Sequence, residues 1–523
     1  MSGGRQPLFT RVMCSKPARL SSAFAFATVS AALRRISSVS SFSNALSRPL
    51  KNAFRSIIFV LCAPSRRVFY RLDMARSQKL RSAHFIGVPM GLTAVEKVLA
   101  LKSGKSSVRP GEVVYPVPDF IMIHDGVVMG AKQELDALGI TRLAAPEKVV
   151  MVTDHDVIYG SARAAERGAF NRRAAAQWGV RHFFDVGRGG HGHIFPMETG
   201  MLLPGMFYFD NDRHSTNAGA IGAFGFRMGA EISRVLATGT NWVMTPKSVR
   251  LTIKGRLKPG VHARDLGFHI AASLKRGALR LNFDYRVLEY AGDLDQFDLA
   301  ARAALCSSPT EMRAYGVFFP PSEAILAHAR RHARQPFTPV FPDADAHYEA
   351  EAELDVSALE PQVALPGGVQ NAVNVSEVAG TRIDHAFIGS CGSGMYEDMI
   401  EAARYLKGRS LAPGVRLFIA PGSEQSMKQL AAEGIVNIFL EAGAVMLPPG
   451  CGPCNDAVIG PVHSGEVSIS TAANNNAGRF GAKDAKLYLG SPATVAVSAI
   501  AGHIADPRSI EASDIRLSRR EAA

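Results

Sequence analysis

Pro449-Gly450-Cys451-Gly452-Pro453-Cys454 is the segment with the strongest chemical signal in this sequence. Two thiolates that are separated by two residues can both bind one metal centre. The same spacing also suits a pair of buried thiols, and Cys-Gly-Pro-Cys is a redox motif of thioredoxin-like proteins as well. The redox motif normally lies near the start of a small domain, whereas this segment lies deep in a chain of 523 residues. Its position favours a metal centre.

A third cysteine strengthens this interpretation. Cys391 precedes Cys451 by 60 residues and follows the apolar segment Ala386-Phe387-Ile388, which predicts a strand. Thiolates at strand ends are well placed to hold an iron–sulfur cluster, because nearby backbone N–H groups offset its negative charge. Three cysteine ligands for a four-iron cluster would leave one iron without a protein sulfur, like the open position of a catalytic zinc site. With Cys306, only four cysteines follow residue 79, too few for a disulfide scaffold.

The positive charge of the chain is concentrated at its N-terminal end. The formal net charge is +13, and residues 1–73 contain ten Arg and two Lys against the single acidic residue Asp73. The rest of the chain is close to neutral, so the total charge does not indicate a nucleic-acid-binding protein. We expect no nucleic-acid partner.

Residues 1–79 are predicted to be a basic extension with one of two origins. A basic, Ser- and Ala-rich segment with almost no acidic residues resembles a mitochondrial presequence. Alternatively, the coding start is placed too early and Met74 opens an ordinary cytosolic N-terminus. We expect a cytoplasmic protein, with the mitochondrial matrix as the alternative. The apolar run within residues 54–64 is far shorter than the roughly 20 residues of a membrane span, so no membrane association is predicted.

Beyond this extension the sequence predicts α/β architecture. Short apolar runs alternate with stretches of helical character, which is typical of strands layered with helices. The predicted strands include 149–152, 249–253, 386–388 and 415–419. Breaks rich in Gly, Pro or basic residues follow residue 253 and occur around 357–379. The sequence therefore predicts three α/β units, at 80–253 with Asp/His motifs, at 254–365, and at 366–523 with the cluster cysteines.

Ordered motifs along the chain resemble those of the aconitase and 3-isopropylmalate dehydratase family. Ile388-Gly389-Ser390-Cys391, followed by 396–399, resembles the first cluster motif of that family, and Ala442-Gly443-Ala444 ahead of 449–454 resembles the second. Further matches occur in the family order, at 153–156, His193 with 198–205, 211–217, 305–312, 478–479 and 491–492. The resemblance covers nearly all of the chain after the extension.

This resemblance implies a fold, a cofactor and a reaction. The family has three α/β domains around a [4Fe–4S] cluster, here held by Cys391, Cys451 and Cys454, and a mobile fourth domain. It dehydrates a hydroxy-di- or tricarboxylic acid and rehydrates the alkene with the hydroxyl on the neighbouring carbon. An iron without a cysteine would act as a Lewis acid on the leaving hydroxyl and a substrate carboxylate.

The resemblance also implies roles for side chains. Paired Asp–His groups would move protons near the hydroxyl, Glu311 would hold the oxygen at the iron, and Arg479 would bind a substrate carboxylate. The implied catalytic residues are Asp154, His155, His193, Asp212, His214 and Glu311. The implied substrate-binding residues are Arg213, Asn217, Asn474 and Arg479.

The sequence departs from the family pattern in two respects. The family's proton-abstracting serine lies in a Gly-Ser-Ser-Arg-Glu loop of the fourth domain, and that string does not occur in this sequence. We therefore expect a separate small subunit that carries this domain, and little activity from the chain alone. Arg213 replaces a family serine, while Ala473 and Asn474 replace an Asn-Arg pair, so we predict that Arg213 supplies the charge that is lost at Asn474.

These departures leave the substrate open. The leading prediction is a 3-isopropylmalate dehydratase-like large subunit, and the alternative substrates are aconitate, homoaconitate and dimethylmalate. A non-catalytic, iron-responsive binding protein remains a further alternative, against which the near-neutral body and the retained histidines argue.

Overall fold

A computed structural model describes residues 58–63, 66–71, 91–455 and 459–515 of the chain. Contacts divide the chain into one unit of residues 1–88 and a second of residues 89–523. In the first unit the backbone forms an antiparallel pair of strands, Ile58–Ala63 and Arg66–Arg71. Apart from these strands, the predicted extension 1–79 lies outside the described residues, and its origin stays a prediction.

The first sheet of the second unit is a five-stranded parallel sheet. In spatial order its strands are His182–Phe184, Val149–Val152, Phe120–His124, Phe207–Asp210 and Phe224–Arg227. Its three central strands are buried on both faces, as continuous apolar runs in a parallel sheet predict. Its α-helices are Ala94–Lys102, Asp125–Ala137, Ala162–Trp178, Phe195–Glu198 and Ile232–Thr238, and its 3₁₀ helices are Pro146–Lys148, Arg213–Ile221 and Gly229–Glu231. A separate antiparallel pair joins Val113–Val114 to Val243–Met244.

The second sheet has four parallel strands. Their spatial order is Gly316–Phe318, Arg286–Gly292, Lys247–Lys254 and Ala350–Asp355, and the accompanying helices are Ala263–Lys275, Leu299–Glu311 and Glu323–His332. The predicted division assigned the strand around 249–253 to the first unit, but Lys247–Lys254 pairs with Arg286–Gly292 on one side and Ala350–Asp355 on the other. A strand belongs to the sheet whose backbone groups it bonds, so this strand begins the second sheet rather than ending the first. The division of the chain into domains otherwise stays a prediction.

The third sheet has seven strands. Their spatial order is Ala372–Asn374, Gln362–Ala364, Lys486–Leu489, Val467–Ser470, His385–Ile388, Arg416–Ile419 and Val445–Met446. Only the pairings of Gln362–Ala364 are antiparallel. The α-helices are Tyr396–Leu406, Glu424–Ala432, Ile435–Ala442 and Pro492–Ala501, and the 3₁₀ helices are Val369–Asn371, Val375–Glu377, Gly452–Cys454 and Pro507–Ser509. The three sheets confirm the predicted α/β class, and the predicted strands at 149–152, 386–388 and 415–419 are also confirmed.

The three sheets and their helices belong to the same unit, residues 89–523. The first two sheets share a core in which Val150 and Leu203 belong to the same cluster as Leu251 and Leu288. The third sheet joins the first through a loop contact, where the His191 N–H donates to the Gly422 carbonyl at 2.7 Å. Among the helices of the described residues, none has the length and apolar character that a membrane crossing requires.

A buried carboxylate fixes the same junction between the first and third sheets. Glu198 accepts a hydrogen bond from the Ser423 hydroxyl and another, of 2.9 Å, from Ser426. Burial raises the pKa of Glu198, while the two hydroxyls act in the opposite direction. Ser423 is also the N-cap of helix Glu424–Ala432, so one hydroxyl both caps that helix and holds it against the first sheet.

Candidate active site

The carboxyl ends of three neighbouring strands in the first sheet supply most of the polar groups of the candidate site. His124 ends its strand, Asp154 and His155 follow the next strand, and Asp210 ends the third. Ligand sites of open α/β sheets form outside the carboxyl ends of the strands, because the loops that follow neighbouring strands converge there. The strand order of this sheet therefore brings together side chains that are up to 86 residues apart in the sequence, His124 and Asp210.

Asp154 is the centre of the first polar network. Its carboxylate lies 2.9 Å from His124 Nδ1 and 2.8 Å from His155 Nδ1, and it accepts the Gly192 N–H at 2.9 Å. His155 Nδ1 also lies 3.0 Å from Asp125 Oδ1. The structure therefore places His155 beside Asp154, and it adds His124 and Asp125 to the group.

Charge sets the protonation of these imidazoles. Burial by itself would lower the pKa of His124, but Asp154 and Asp210 outweigh it and raise that pKa well above its usual value. Burial would also lower the pKa of His155, but Cys451 and Asp154 outweigh it and raise that pKa well above its usual value. These carboxylates thus favour the protonated form of both rings, which is the form that can donate a proton.

A second network continues around the site from His193. Its Nε2 lies 3.0 Å from Asp210, and its ring centroid lies 4.7 Å from that of His124 and 6.1 Å from that of His214. His214 Nδ1 bonds Asp212 at 3.0 Å, and its Nε2 bonds Glu311 at 3.2 Å. The structure therefore brings His193 and His214 into one polar group with Glu311, from the second sheet.

The hydrogen bonds of His214 to Asp212 and Glu311 predict that the free energy of unfolding depends on pH. Burial would lower the pKa of His214, but Asp212 and Glu311 raise it to about 9. A raised pKa means that the folded state binds this proton more tightly than the unfolded state does. The stabilisation is therefore fully present below pH 6.5 and is lost as the pH rises through 9. Each pKa unit corresponds to about 1.4 kcal/mol, so the raised pKa of His214 contributes on the order of 3 kcal/mol to the free energy of unfolding.

We expect the urea midpoint of His214→Gln to lie furthest below that of the wild type at pH 6, and the difference to shrink by pH 9.5. His328→Gln is the matched control, because the pKa of His328 is shifted in the opposite direction. Burial lowers it, the hydrogen bond to the Met197 carbonyl raises it, and the charge of Arg331 lowers it, with a net downward shift. Its difference from the wild type should not shrink over the same range. An equal difference at both pH values for His214→Gln would contradict the prediction.

The three candidate cluster cysteines lie where the third sheet meets this polar group. Cys391 follows strand His385–Ile388 and Cys451 follows strand Val445–Met446. Ser390 adopts a left-handed φ of 67°, which is uncommon outside glycine and turns the chain sharply before Cys391. The Cys391 carbonyl accepts a 2.9 Å hydrogen bond from the Asn217 amide. Asn217, predicted to contact substrate, thus supports the backbone of a cysteine.

The loop of Cys451 is joined to the loop of Asp154. The Cys451 N–H donates to the Asp154 carbonyl at 2.8 Å, and the Cys451 sulfur lies 3.3 Å from His191 Nε2. Gly450 makes this approach possible, because a Cβ there would lie only 2.7 Å from the same carbonyl and its φ is 155°. The cysteine loop and the histidine group therefore form one site.

The cysteines and their surroundings fit an iron–sulfur cluster. Cys391, Cys451 and Cys454 are all buried and none forms a disulfide. Burial raises the pKa of Cys451 to about 11, and burial together with the neighbouring Cys454 and Cys451 raises that of Cys391 well above its usual value. A metal centre would therefore have to displace protons, as thiolate ligation does. Several buried polar atoms around the cysteines also have no hydrogen-bond partner in the described residues, namely Arg264 Nε and Nη1, His193 Nδ1, Asn217 Oδ1 and Asn474 Oδ1.

The predicted substrate-binding residues fall in different places. Arg213 is 52% exposed and lies 3.4 Å from Glu311, so it borders the histidine group. Arg479 reaches the cysteine side, with its Nη2 3.9 Å from the Cys454 sulfur. Asn474 is buried. Their contact with a substrate stays a prediction.

Sequence reasoning missed five residues of the site: His124, Asp125, His191, Asp210 and Arg264. A signal existed for His124 and Asp125, because His-Asp follows an apolar run just as Asp154-His155 does. Asp210 likewise ends an apolar run. His191 precedes His193 by two residues, and only the fold shows that it contacts a cysteine. Arg264 gave no signal, because a lone arginine in an amphipathic helix is normally exposed.

Comparisons with known proteins identify the family of this chain. The model of the aconitase family (aconitate hydratase) matches residues 96–502. The 3-isopropylmalate dehydratase large subunit 1 of Methanopyrus kandleri is 38% identical over 421 residues, which are 80% of this chain and 99% of that protein. The homoaconitase large subunit of Thermus thermophilus is 37% identical over 433 residues, with 82% and 100% covered. The probable 3-isopropylmalate dehydratase large subunit of Methanothermobacter thermautotrophicus is 36% identical over 424 residues, with 81% and 100% covered.

The chain belongs to the aconitase family. It is a hydro-lyase of that family, which confirms the predicted reaction class. The family implies an iron–sulfur cluster, and buried His and Cys groups in the structure offer ligand atoms for a metal. The alternative of a non-catalytic binding protein is not supported.

Proposed function

We propose that this chain is the large subunit of a [4Fe–4S] hydro-lyase that isomerises a hydroxy-dicarboxylic acid of the 3-isopropylmalate type through an alkene. The observation that supports the proposal is the joining of the Cys451 loop to the Asp154 loop, because it brings a proposed cluster ligand close to His155, whose pKa is raised. Cys391, Cys451 and Cys454 would hold the cluster. When bound, it would supply a Lewis acid for the leaving hydroxyl.

Side chains at the carboxyl ends of the first sheet would transfer protons to and from the substrate. His155, held by Asp154 and Asp125, would donate a proton to the departing hydroxyl, and its raised pKa supports this role. His214 and Glu311 form a second donor–acceptor pair on the other side of His193. Two separate proton relays suit a reaction that first removes water and then adds it back at the neighbouring carbon.

The site has room and positive charge for a small diacid. A cavity of about 420 Å³ lies beside His124, His155 and Asp212, and Arg167 also lines it. Arg213 and Arg479 border the histidine and cysteine sides respectively. Guanidinium groups bind carboxylates through two parallel hydrogen bonds, so these arginines would fix the two ends of the substrate.

A separate small subunit is the proposed partner. The relatives that match this chain over nearly their whole length are named as large subunits. We propose that the partner carries a swivel domain with a Gly-Ser-Ser-Arg-Glu loop whose serine abstracts the substrate proton. The relatives include both 3-isopropylmalate dehydratase and homoaconitase at nearly equal identity, so identity alone does not separate these substrates.

The test is anaerobic co-purification with the small subunit, followed by a screen of 3-isopropylmalate, homocitrate, citrate and 2,3-dimethylmalate for an ultraviolet-absorbing alkene. We expect activity from the complex, with a 3-isopropylmalate-type diacid as the best substrate, and little activity from the chain alone. No alkene from any of these hydroxy-acids with a complex that contains its cluster would contradict the proposal.

Arg213 should control substrate affinity. A charge-assisted hydrogen bond to a carboxylate is worth about 1.5–3 kcal/mol. We therefore expect Arg213→Ser to raise KM by roughly 10- to 100-fold with a smaller change in kcat, since each tenfold corresponds to about 1.4 kcal/mol. Arg382→Ser is the control, because that exposed arginine pairs only with Asp384 in the described residues. Unchanged kcat/KM for Arg213→Ser would refute the assignment.

A further inference from the structure

Arg264 is a fully buried arginine without a carboxylate partner. Its relative exposure is 0%, and in the part of the chain that the structure describes it forms no ion pair. One nitrogen, Nη2, donates to the Ala472 carbonyl at 2.5 Å, whereas Nε and Nη1 have no hydrogen-bond partner. Burial of a charged group is costly unless it is paired, so an unpaired guanidinium in this place favours an anion beside it.

The free side of this guanidinium adjoins the cluster cysteines. A Cβ on Gly392, the residue after Cys391, would lie 2.8 Å from Arg264 Nη1, so the guanidinium packs directly on the backbone beside that cysteine. The ring of Phe268 covers the guanidinium at 4.8 Å. The side chain is therefore fixed against the Cys391 loop rather than free to turn elsewhere.

The electrostatic environment agrees with this placement. Burial lowers the pKa of Arg264 to about 10, and among the groups that act in the opposite direction Cys391 and Cys454 have the largest effect, ahead of Asp398 and Glu311. A fully buried anion at the cysteines would complete its hydrogen bonding.

We propose that Arg264 is the buried counter-cation of the iron–sulfur cluster, and that its free N–H groups donate to sulfur at the Cys391 side and set the reduction potential of the cluster. This inference rests on the proposed cluster at the three cysteines. Arg264 is a positioning residue in this account, because it acts on the cluster and not on the substrate. Net charge and N–H···S hydrogen bonds are the protein's means of tuning such potentials.

The sign of the effect follows from charge. Reduction adds an electron to a cluster that is already surrounded by thiolates, and a nearby cation stabilises the reduced form. Removal of that cation should therefore lower the potential. We expect Arg264→Gln to shift the ratio of reduced to oxidised cluster at least tenfold towards the oxidised form at a fixed potential, which is about 59 mV for one electron.

The experiment is an anaerobic redox titration of the full chain, followed by electron paramagnetic resonance. Arg302→Gln is the matched control, because Arg302 is equally buried, stacks on Phe319 and donates to three carbonyls in the second sheet. We expect its potential to equal that of the wild type. Arg264→Lys keeps the charge and should show less than half of the shift of Arg264→Gln.

The outcomes separate this inference from the proposed function. A wild type without any cluster signal would refute the proposed function. A wild type with a normal cluster and an Arg264→Gln variant of unchanged potential would refute only the role of Arg264, as would an equal shift in Arg302→Gln. A further outcome is that Arg264→Gln folds without retaining iron. In that case, iron that is retained by both Arg264→Lys and Arg302→Gln supports the role of Arg264. Iron that is lost from Arg302→Gln as well contradicts it.

Discussion

Replacement of any one of Cys391, Cys451 and Cys454 by Ser is expected to abolish the four-iron cluster signal and to lower kcat/KM by at least roughly 1000-fold. A Lewis-acid metal contributes several kcal/mol to such a reaction, and each tenfold in rate corresponds to about 1.4 kcal/mol. The loss should be of similar size for the three cysteines, because all three would be ligands of one centre. Iron content, visible absorption and turnover of the anaerobic complex measure it.

Cys306→Ala is the matched control for the cysteine series. Cys306 is also fully buried, but it lies in helix Leu299–Glu311, and burial alone raises the pKa of its thiol, against the opposing charge of Arg302. We expect this variant to keep its cluster and most of its activity. A cluster signal that survives in a variant of Cys391, Cys451 or Cys454 would contradict the assignment of that ligand.

Asp154→Asn is expected to lower kcat about 1000-fold with little change in KM. General acid–base groups contribute roughly 10²- to 10⁴-fold, and the single carboxylate of Asp154 serves two imidazoles and the Gly192 N–H. An amide has only one acceptor oxygen. Its NH₂ group would therefore face another hydrogen-bond donor, either the backbone N–H or an imidazole N–H, and could not accept from it. Loss of the negative charge also removes part of the cause that raises the pKa of His155.

Glu289→Gln separates this effect from a general loss of stability. Glu289 is a fully buried carboxylate of the second sheet that accepts the Ala94 and Val95 N–H groups and the Tyr348 hydroxyl, and among the described residues it has no hydrogen bond to an imidazole. Its variant should lose stability but retain kcat. A similar loss of kcat in both variants would show that Asp154 acts through the fold rather than through the histidines.

Much of the fold was predictable because its signals are local. The apolar run Val149–Val152 predicts a strand by composition alone, and Cys-x-x-Cys predicts a metal centre by spacing. The assignment of strand Lys247–Lys254 to a sheet could not be predicted in the same way, because pairing with Arg286–Gly292 and Ala350–Asp355 depends on residues that are distant in sequence.

The same distinction applies to the site. Asp154 and His155 belong to a recognisable motif, whereas the contact between His191 and Cys451 depends on how the first and third sheets pack. Arg264 is the extreme case, since its significance lies in burial and in missing partners, and neither property is readable from the residues around it. Sequence therefore indicated candidate ligands and candidate proton-transfer residues, whose roles stay predictions, but not the surroundings that set their charge.

The most direct test of the account is chemical and spectroscopic analysis of the anaerobically prepared full chain, beside a variant in which Cys391, Cys451 and Cys454 are all changed to Ser. We predict about four iron and four sulfide per wild-type chain, with a four-iron signature in Mössbauer spectra and in electron paramagnetic resonance after reduction, as three-cysteine ligation implies. The triple variant should lack both the metal and the signature. Absence of the signature from the wild type, or its persistence in the triple variant, would contradict the central claim.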